Sequence, residues 1–144
     1  MTRAVAFILS GAFAAAQAPS EPPQPAATVR QLMLDLIHPT SNDLLLAVYR
    51  GVPDTEQDWA GVRRSALTLA ESGNLLMARG RARDVGDWMK DARALVEVGT
   101  AAYKAAQAKD LKALAALADS LDRSCTTCHT QYRPNVFPRV GASK

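Results

Sequence analysis

The sequence predicts an all-α protein, an antiparallel four-helix bundle, on three observations. Apolar residues recur at spacings of three and four along four separate segments, which places them on one face of a helix. The links between these segments are short, and short links make neighbouring helices antiparallel. No segment alternates apolar and polar residues in the way that a half-buried strand does.

The predicted helices run from about Thr28 to Arg50, from Asp54 to Arg79, from Val85 to Ala108, and from Asp110 to the residue before Pro134. Pro39 interrupts the first of them, because proline lacks a backbone donor and disfavours helix at the preceding residue. We therefore expect a kink or short break there, with Thr40 or Ser41 capping a restart. Trp59 and Trp88 continue apolar stripes and are expected to anchor the core.

The first 18 residues have the pattern of a secretory signal peptide. A short start containing Arg3 precedes an apolar run from Ala4 to Ala16, and small residues follow. The run is shorter than the roughly 20 residues of a spanning helix, which favours cleavage over a membrane anchor. Residues 19–27 contain four prolines and are expected to form a flexible leader, so that residues 28–140 form the helical domain.

Composition and charge exclude some classes of function. The chain of 144 residues has a formal charge of +3 and lacks the clustered basic stripe of a nucleic-acid-binding protein. No second apolar segment is long enough to cross a bilayer, so we expect no stable membrane insertion after signal cleavage. Alanine is frequent and buries little apolar area per residue, so a large apolar ligand would add to the core.

Both cysteines and one of the two histidines fall within five residues, Cys125-Thr-Thr-Cys128-His129. This spacing is the signature of covalent c-type haem attachment. On a helix, residues three and four apart share a face, so two thiols can form thioethers with the haem vinyl groups while His129 faces the iron. The sequence therefore predicts one haem c, bound inside the bundle near the C-terminal end of the fourth helix.

Two other chemistries use cysteine pairs. A disulfide or thiol-exchange site would assign no role to His129, and such a redox motif is usually found near a βαβ pattern. A structural zinc site needs four ligands, and only His38 is left besides the three motif residues. Both alternatives are less consistent with the sequence than haem.

The position of the motif suggests a family. A helical chain with its haem motif near the C-terminus resembles the class II c-type cytochromes, which include cytochrome c′ and its low-spin relatives. Segment Cys125–Arg133 resembles the family's pattern of an aromatic residue and an arginine soon after the histidine, and segment Arg30–Met33 resembles its first helix. The resemblance spans Thr28–Arg133, and the interruption at His38-Pro39 departs from a continuous first helix.

In this family the residue opposite the histidine decides the function. The resemblance implies a methionine ligand in the low-spin, electron-transferring branch and an apolar residue over an open iron in cytochrome c′. Met33 is the candidate ligand, although by sequence pattern alone it is equally well a flexible core residue. A register change of one residue would put Leu34 over the iron instead. His38 is the other possible ligand and would give a bis-histidine haem. It lies about 140° around a regular helix from Met33, however, and is more consistent with an exposed or capping residue.

Arginines and the remaining methionines complete the candidate residues. Arg133, one helical turn beyond His129, could pair with a haem propionate or be a solvated helix end. Arg79, Arg81 and Arg83 cluster in the link between the second and third helices, and we interpret them as a solvated turn. Two further residues, Met77 and Met89, are expected to be packing residues.

The expected protein is a periplasmic carrier of single electrons that meets a redox partner protein. The alternative is a gas-binding protein with five-coordinate iron that takes up nitric oxide or carbon monoxide. A haem peroxidase would need a polar distal group that the sequence does not supply, and no group is arranged for acid-base or nucleophilic catalysis, so an enzyme is not expected. Many family members are dimers, so a homodimer is one arrangement that the resemblance allows.

Overall fold

The computed structural model describes residues 24–51 and 53–136, and every regular element in these ranges is helical. The elements are α1 (Val29–Leu32), a π-helical turn (Met33–Ile37), α2 (His38–Arg50), α3 (Glu56–Met77), α4 (Asp87–Gln107), α5 (Leu111–Ala115) and α6 (Ala118–Tyr132). The all-helical prediction is confirmed. The predicted signal peptide lies outside the described residues, and within them no helix combines the length and apolar character needed to cross a bilayer.

The first helical segment does not break at Pro39, and the expectation of a capped restart there was wrong. The backbone instead widens into the π turn, where the N–H of His38 donates to the carbonyl of Met33, five residues back. Proline supplies no donor and its ring collides with a carbonyl four residues earlier, and the wider turn relieves that collision. The hydroxyl of Thr40 donates to the carbonyls of Leu36 (2.6 Å) and Ile37 (3.2 Å) and does not cap a helix.

Side-chain caps define where three of the helices begin. Thr28 and Thr55 each accept a hydrogen bond from the third residue of the following helix, whose side chain bonds back to the threonine N–H. Asp110 caps α5, as expected, by accepting from the N–H of Ala113 at 2.8 Å. The predicted fourth helix is not continuous, however, because a turn at Ala116 and Leu117 separates α5 from α6.

The most extensive helix contact is between α3 and α4, and α2 and α6 pack on this pair. The two backbones approach closely because Gly73 lies against Ala92 and Val96, and Gly99 lies against Ala70. The buried apolar side chains of the four segments form one core: Leu32, Ile37, Leu44, Trp59, Val62, Ala66, Leu69, Leu76, Trp88, Ala92, Leu95, Val98, Ala102, Ala105, Ala106, Leu114 and Leu121.

Both tryptophans lie in the core, and Met77 and Met89 pack against it, as the sequence predicts. Trp59 and Trp88 are both buried, and the indole N–H of Trp88 donates to the carbonyl of Leu76 at 2.8 Å. Met77 and Met89 are partly buried against the core. The hydrogen bond from Trp88 thus joins α4 to α3, and α6 packs against α4.

Candidate functional site

The predicted attachment residues lie on α6, where their spacing places them on one face. Cys125, Cys128 and His129 are partly buried, and both cysteines are free thiols. Across from this face lies the π turn, whose first residue, Met33, is partly buried against the core. Residues from the two ends of the chain therefore meet at one site.

Three cavities lie between the π turn and α6, and all three are lined by Met33 and His129. The innermost, of about 40 Å³, is also lined by both cysteines. An outer cavity of about 470 Å³ includes Cys128, and another of about 360 Å³ includes Cys125. The larger two fall in the size range of about 300–1,000 Å³ that is typical of small-molecule sites.

The other two ligand candidates occupy less central positions than Met33. Leu34 is 57% exposed and lines the two larger cavities but not the innermost one. His38 is exposed, lines only the cavity of about 360 Å³, and has its Nε2 3.4 Å from the Nδ2 of Asn42. Of the three, Met33 alone faces the space that both cysteines share.

Burial controls the protonation of the motif residues. It raises the pKa of the Cys128 thiol to about 11 and also raises the pKa of Cys125, so both sulfurs are protonated near neutral pH. A thiol-exchange site would need a lowered pKa and a thiolate. Burial, together with the nearby charge of Arg133, lowers the pKa of His129. His129 is therefore neutral near pH 7, which is the form that binds a metal.

Arginines surround the mouth of the 470 Å³ cavity. Arg30, Arg83 and Arg133 all line it, and no acidic residue does. The guanidinium of Arg83 lies 5.8 Å from the ring centroid of Trp88, and Arg81 donates to the carbonyls of Ala27 and Leu75. The interpretation of the arginine link as a solvated turn was wrong for Arg81, which is half-buried and hydrogen-bonded to two backbone carbonyls, whereas Arg83 is exposed. The cavity mouth suits a ligand that carries carboxylates.

A side-chain network fixes the end of α6 just beyond His129. The hydroxyl of Tyr132 donates to Asp84, and its ring packs edge-on against Trp88 with centroids 5.0 Å apart. The amide of Gln131 donates to the Oδ2 of Asp87 at 2.9 Å. Asp84 also accepts from the N–H of Trp88 at 3.0 Å, so one carboxylate is bonded to both the first turn of α4 and the end of α6.

Sequence reasoning missed two residues of this site, Asp84 and Asp91. Asp84 precedes a glycine and a predicted helix start, which is a signal of an N-cap. Asp91 lines the innermost cavity and is buried, although it is a carboxylate. Its position three residues after Trp88 and four before Leu95 places it on the apolar stripe of α4, and that spacing was the available signal.

The donor set fits a haem better than a bare metal ion. The described residues contain no cluster of three or more His, Cys, Asp or Glu side chains placed to hold a metal. A porphyrin supplies four nitrogens itself, so one imidazole, one thioether and two thiols in an apolar slot are sufficient. Comparisons with protein-family models, curated proteins and solved structures find no match for this chain.

Proposed function

We propose that this protein is an exported mono-haem c-type cytochrome that carries single electrons. Haem c is attached at Cys125 and Cys128, and the iron is held by His129 and Met33. The observation that carries this proposal is the innermost cavity, which these four side chains line together. The same cavity supports the low-spin branch over the gas-binding one, since Leu34 does not reach it.

Each residue of the candidate site has a defined role in this proposal. The thiols of Cys125 and Cys128 would hold the haem through thioethers to its two vinyl groups. The neutral imidazole of His129 and the sulfur of Met33 would bind the iron, and Arg30, Arg83 and Arg133 would pair with the haem carboxylates at the cavity mouth. Ligation by methionine opposite histidine favours a raised reduction potential.

The bound haem supplies one-electron redox chemistry, and the chain limits how much must move during transfer. Tyr132 and Gln131 hold the helix end behind His129 through Asp84 and Asp87. Trp88 closes the inner wall of two of the cavities. The electron would leave to a separate redox partner protein.

The bundle and the location belong to the same proposal. The order of contacts between α3 and α4 runs from Leu76 with Trp88, through Gly73 with Ala92, to Gly99 with Ala70, which supports an antiparallel pair. The predicted signal peptide supports export to the periplasm, where covalent haem attachment takes place.

The first test is the mass and spectrum of protein made in a host that attaches haem c. We expect the mature polypeptide plus one haem, with a low-spin spectrum in the ferric and ferrous forms. Met33→Ala should convert this to a high-spin spectrum because it removes one axial ligand. Met77→Ala is the matched control, since Met77 is also partly buried but lines none of the three cavities.

Carbon monoxide separates the two branches of the family. Reduced wild-type protein is expected to bind it slowly or not at all, and reduced Met33→Ala to bind it rapidly. Rapid binding by the wild type would favour the gas-binding alternative. A colourless product whose mass is that of the polypeptide alone would contradict both the electron-carrying and the gas-binding function, since both need haem.

A further inference from the structure

Asp91 is an anomaly in the wall of the innermost cavity. It lies on α4, only 9% of its surface is exposed, and its Oδ2 is buried without a hydrogen-bond partner. Among the described residues it is the one buried side chain with such an atom. An unpartnered buried carboxylate is costly in free energy, so this position needs an explanation.

The surroundings of Asp91 place it between the inner cavity and solvent. On one side it lines the 40 Å³ cavity with Met33, Cys128 and His129. On the other side it lines an open groove of about 470 Å³ with polar residues that include Lys90, Ser120 and Thr127. A proton can therefore reach the carboxyl from the groove while the charge of the carboxyl acts on the cavity.

We propose that Asp91 is a redox-linked proton site: it takes up one proton from solvent when the iron gains an electron from a one-electron donor, and releases that proton when the electron leaves. This inference rests on the proposed function, because it needs iron in the innermost cavity. An ionised carboxylate stabilises the ferric form through the low-dielectric wall, and by reciprocity reduction favours the protonated carboxyl.

The electrostatics around Asp91 favour its protonated form. Burial raises its pKa, the charges of Asp87 and Asp84 raise it further, and only Lys90 acts in the opposite direction. The ordinary carboxyl pKa is near 4, so the shift is toward neutral pH.

Other ionisable groups face the same region. From α6 these are His129, which the iron would hold, the two cysteines, which lose their protons on attachment, and Arg123 across the groove. Arg83 approaches from the preceding loop, and Glu97 lines the groove. The π turn and α3 contribute only apolar residues here, namely Met33, Ile37 and Leu76.

The test is the reduction potential of the full-length haem-loaded protein between pH 4 and pH 9. For the wild type we expect a potential that falls as pH rises, by up to about 59 mV for each tenfold fall in proton concentration. Asp91→Asn should have a higher potential at the alkaline end and a nearly flat profile. Glu97→Gln, on the same helix, exposed, and lining the groove but not the inner cavity, should keep the wild-type slope.

Three outcomes overturn the inference. One is a flat wild-type profile. Another is an Asp91→Asn variant that keeps the wild-type slope, which would assign the titration to the haem propionates. The third is a wild-type infrared difference spectrum, reduced minus oxidised, in which no protonated-carboxyl band appears on reduction. The infrared measurement needs no variant, so absence of the band overturns the inference even if Asp91→Asn does not fold; a protein without haem would instead reject the proposed function.

Discussion

Glycines decide how closely the two central helices approach. A Cβ built on Gly99 would lie 2.6 Å from the backbone N of Ala70 and 2.8 Å from its Cα. Backbone atoms cannot move aside as a flexible side chain can, so this contact excludes any larger residue. Gly61 lies within α3, whereas Gly99 lies within α4. A Cβ built on Gly61 would have only the guanidinium of Arg64 nearby, at 3.8 Å. A side chain larger than hydrogen is therefore excluded at Gly99 but has room at Gly61.

Substitution of these glycines by alanine should change stability in opposite directions. Gly99→Ala is expected to lower the free energy of unfolding by about 1–3 kcal/mol through overpacking. Gly61→Ala, its matched control, should raise it by about 0.5–1 kcal/mol, because alanine is the better helix former and meets no obstacle. Urea unfolding of both variants measures the difference, and an unchanged midpoint for Gly99→Ala would contradict the close contact.

The residues of the candidate site were predictable to the extent that their signal is local. The haem-attachment motif is recognisable from spacing alone, because Cys125, Cys128 and His129 fall within five residues. Met33 needed a resemblance to distinguish it from a core residue. Asp91 and Asp84 had local signals, the spacing on α4 and the position before a helix start, but neither signal shows the contacts between α4 and α6 on which their roles depend.

At the scale of elements, the π turn sets the direction in which Met33 points. A π turn contains one residue more than an α turn, so it rotates everything before it relative to everything after it. Pro39 explains why the widening occurs where it does, since the N–H that would continue the α-helical ladder is missing. The sequence predicted that Pro39 would interrupt a regular α-helix. It could not predict a π turn in place of a break, because a proline is the sequence feature that marks both.

Deleting Leu34 shortens the segment before Pro39 by one residue; with the π turn kept by Pro39, every earlier residue moves one position along it, a rotation of about 100° on a helix. Leu32 would then take the position of Met33, and under the proposed function the iron would lose its sixth ligand. We expect a high-spin spectrum and rapid carbon monoxide binding by the reduced protein. Leu34→Ala keeps the length of the segment and should stay low-spin; a deletion variant that also stays low-spin would show that the turn does not position Met33.

The docking of α6 onto α4 should depend on pH through Asp84. The hydroxyl of Tyr132, followed by the N–H of Trp88, lowers the pKa of Asp84 below its usual 3.8. A carboxyl with a lowered pKa in the folded state adds stability above pH 3.8, and this is lost as pH falls through the folded value.

Tyr132→Phe tests this dependence because it keeps the ring contact with Trp88 and removes the hydroxyl. The variant should be less stable than the wild type at pH 7, and the difference in Tm should shrink as pH is lowered from about 4 to 2. Thermal unfolding by circular dichroism measures this difference. Tyr49→Phe, at a position 78% exposed, should show no such pH-dependent difference, and an equal effect of both variants would refute the role of Asp84.

At the scale of the whole molecule, the chain leaves two sizeable cavities beside its most specific motif. The walls between the π turn and α6 enclose cavities of about 470 and 360 Å³ beside a core rich in alanine. Such a protein gains a large part of its buried apolar contact from whatever fills that space. The all-helical architecture was predictable from periodicity, whereas the division between α5 and α6 was not, because no proline or glycine marks it.

Protein made without the haem-attachment machinery should therefore be markedly less stable than the haem-loaded form. A loss of about 3 kcal/mol would lower the Tm by roughly 10 °C. Thermal unfolding of both preparations, with binding of a hydrophobic dye as a second readout, measures the effect. Equal Tm values for the two preparations would mean that the cavities are not the space that haem occupies.

The surplus residue before Pro39 also has a genetic meaning. Three nucleotides added to or lost from the reading frame here change which side chain meets the centre of the protein, while Thr28 and α2 keep their own local signals. Under the proposed function, one in-frame step would therefore exchange a sealed for an accessible iron, with Leu34 the cavity-lining residue that the deletion removes.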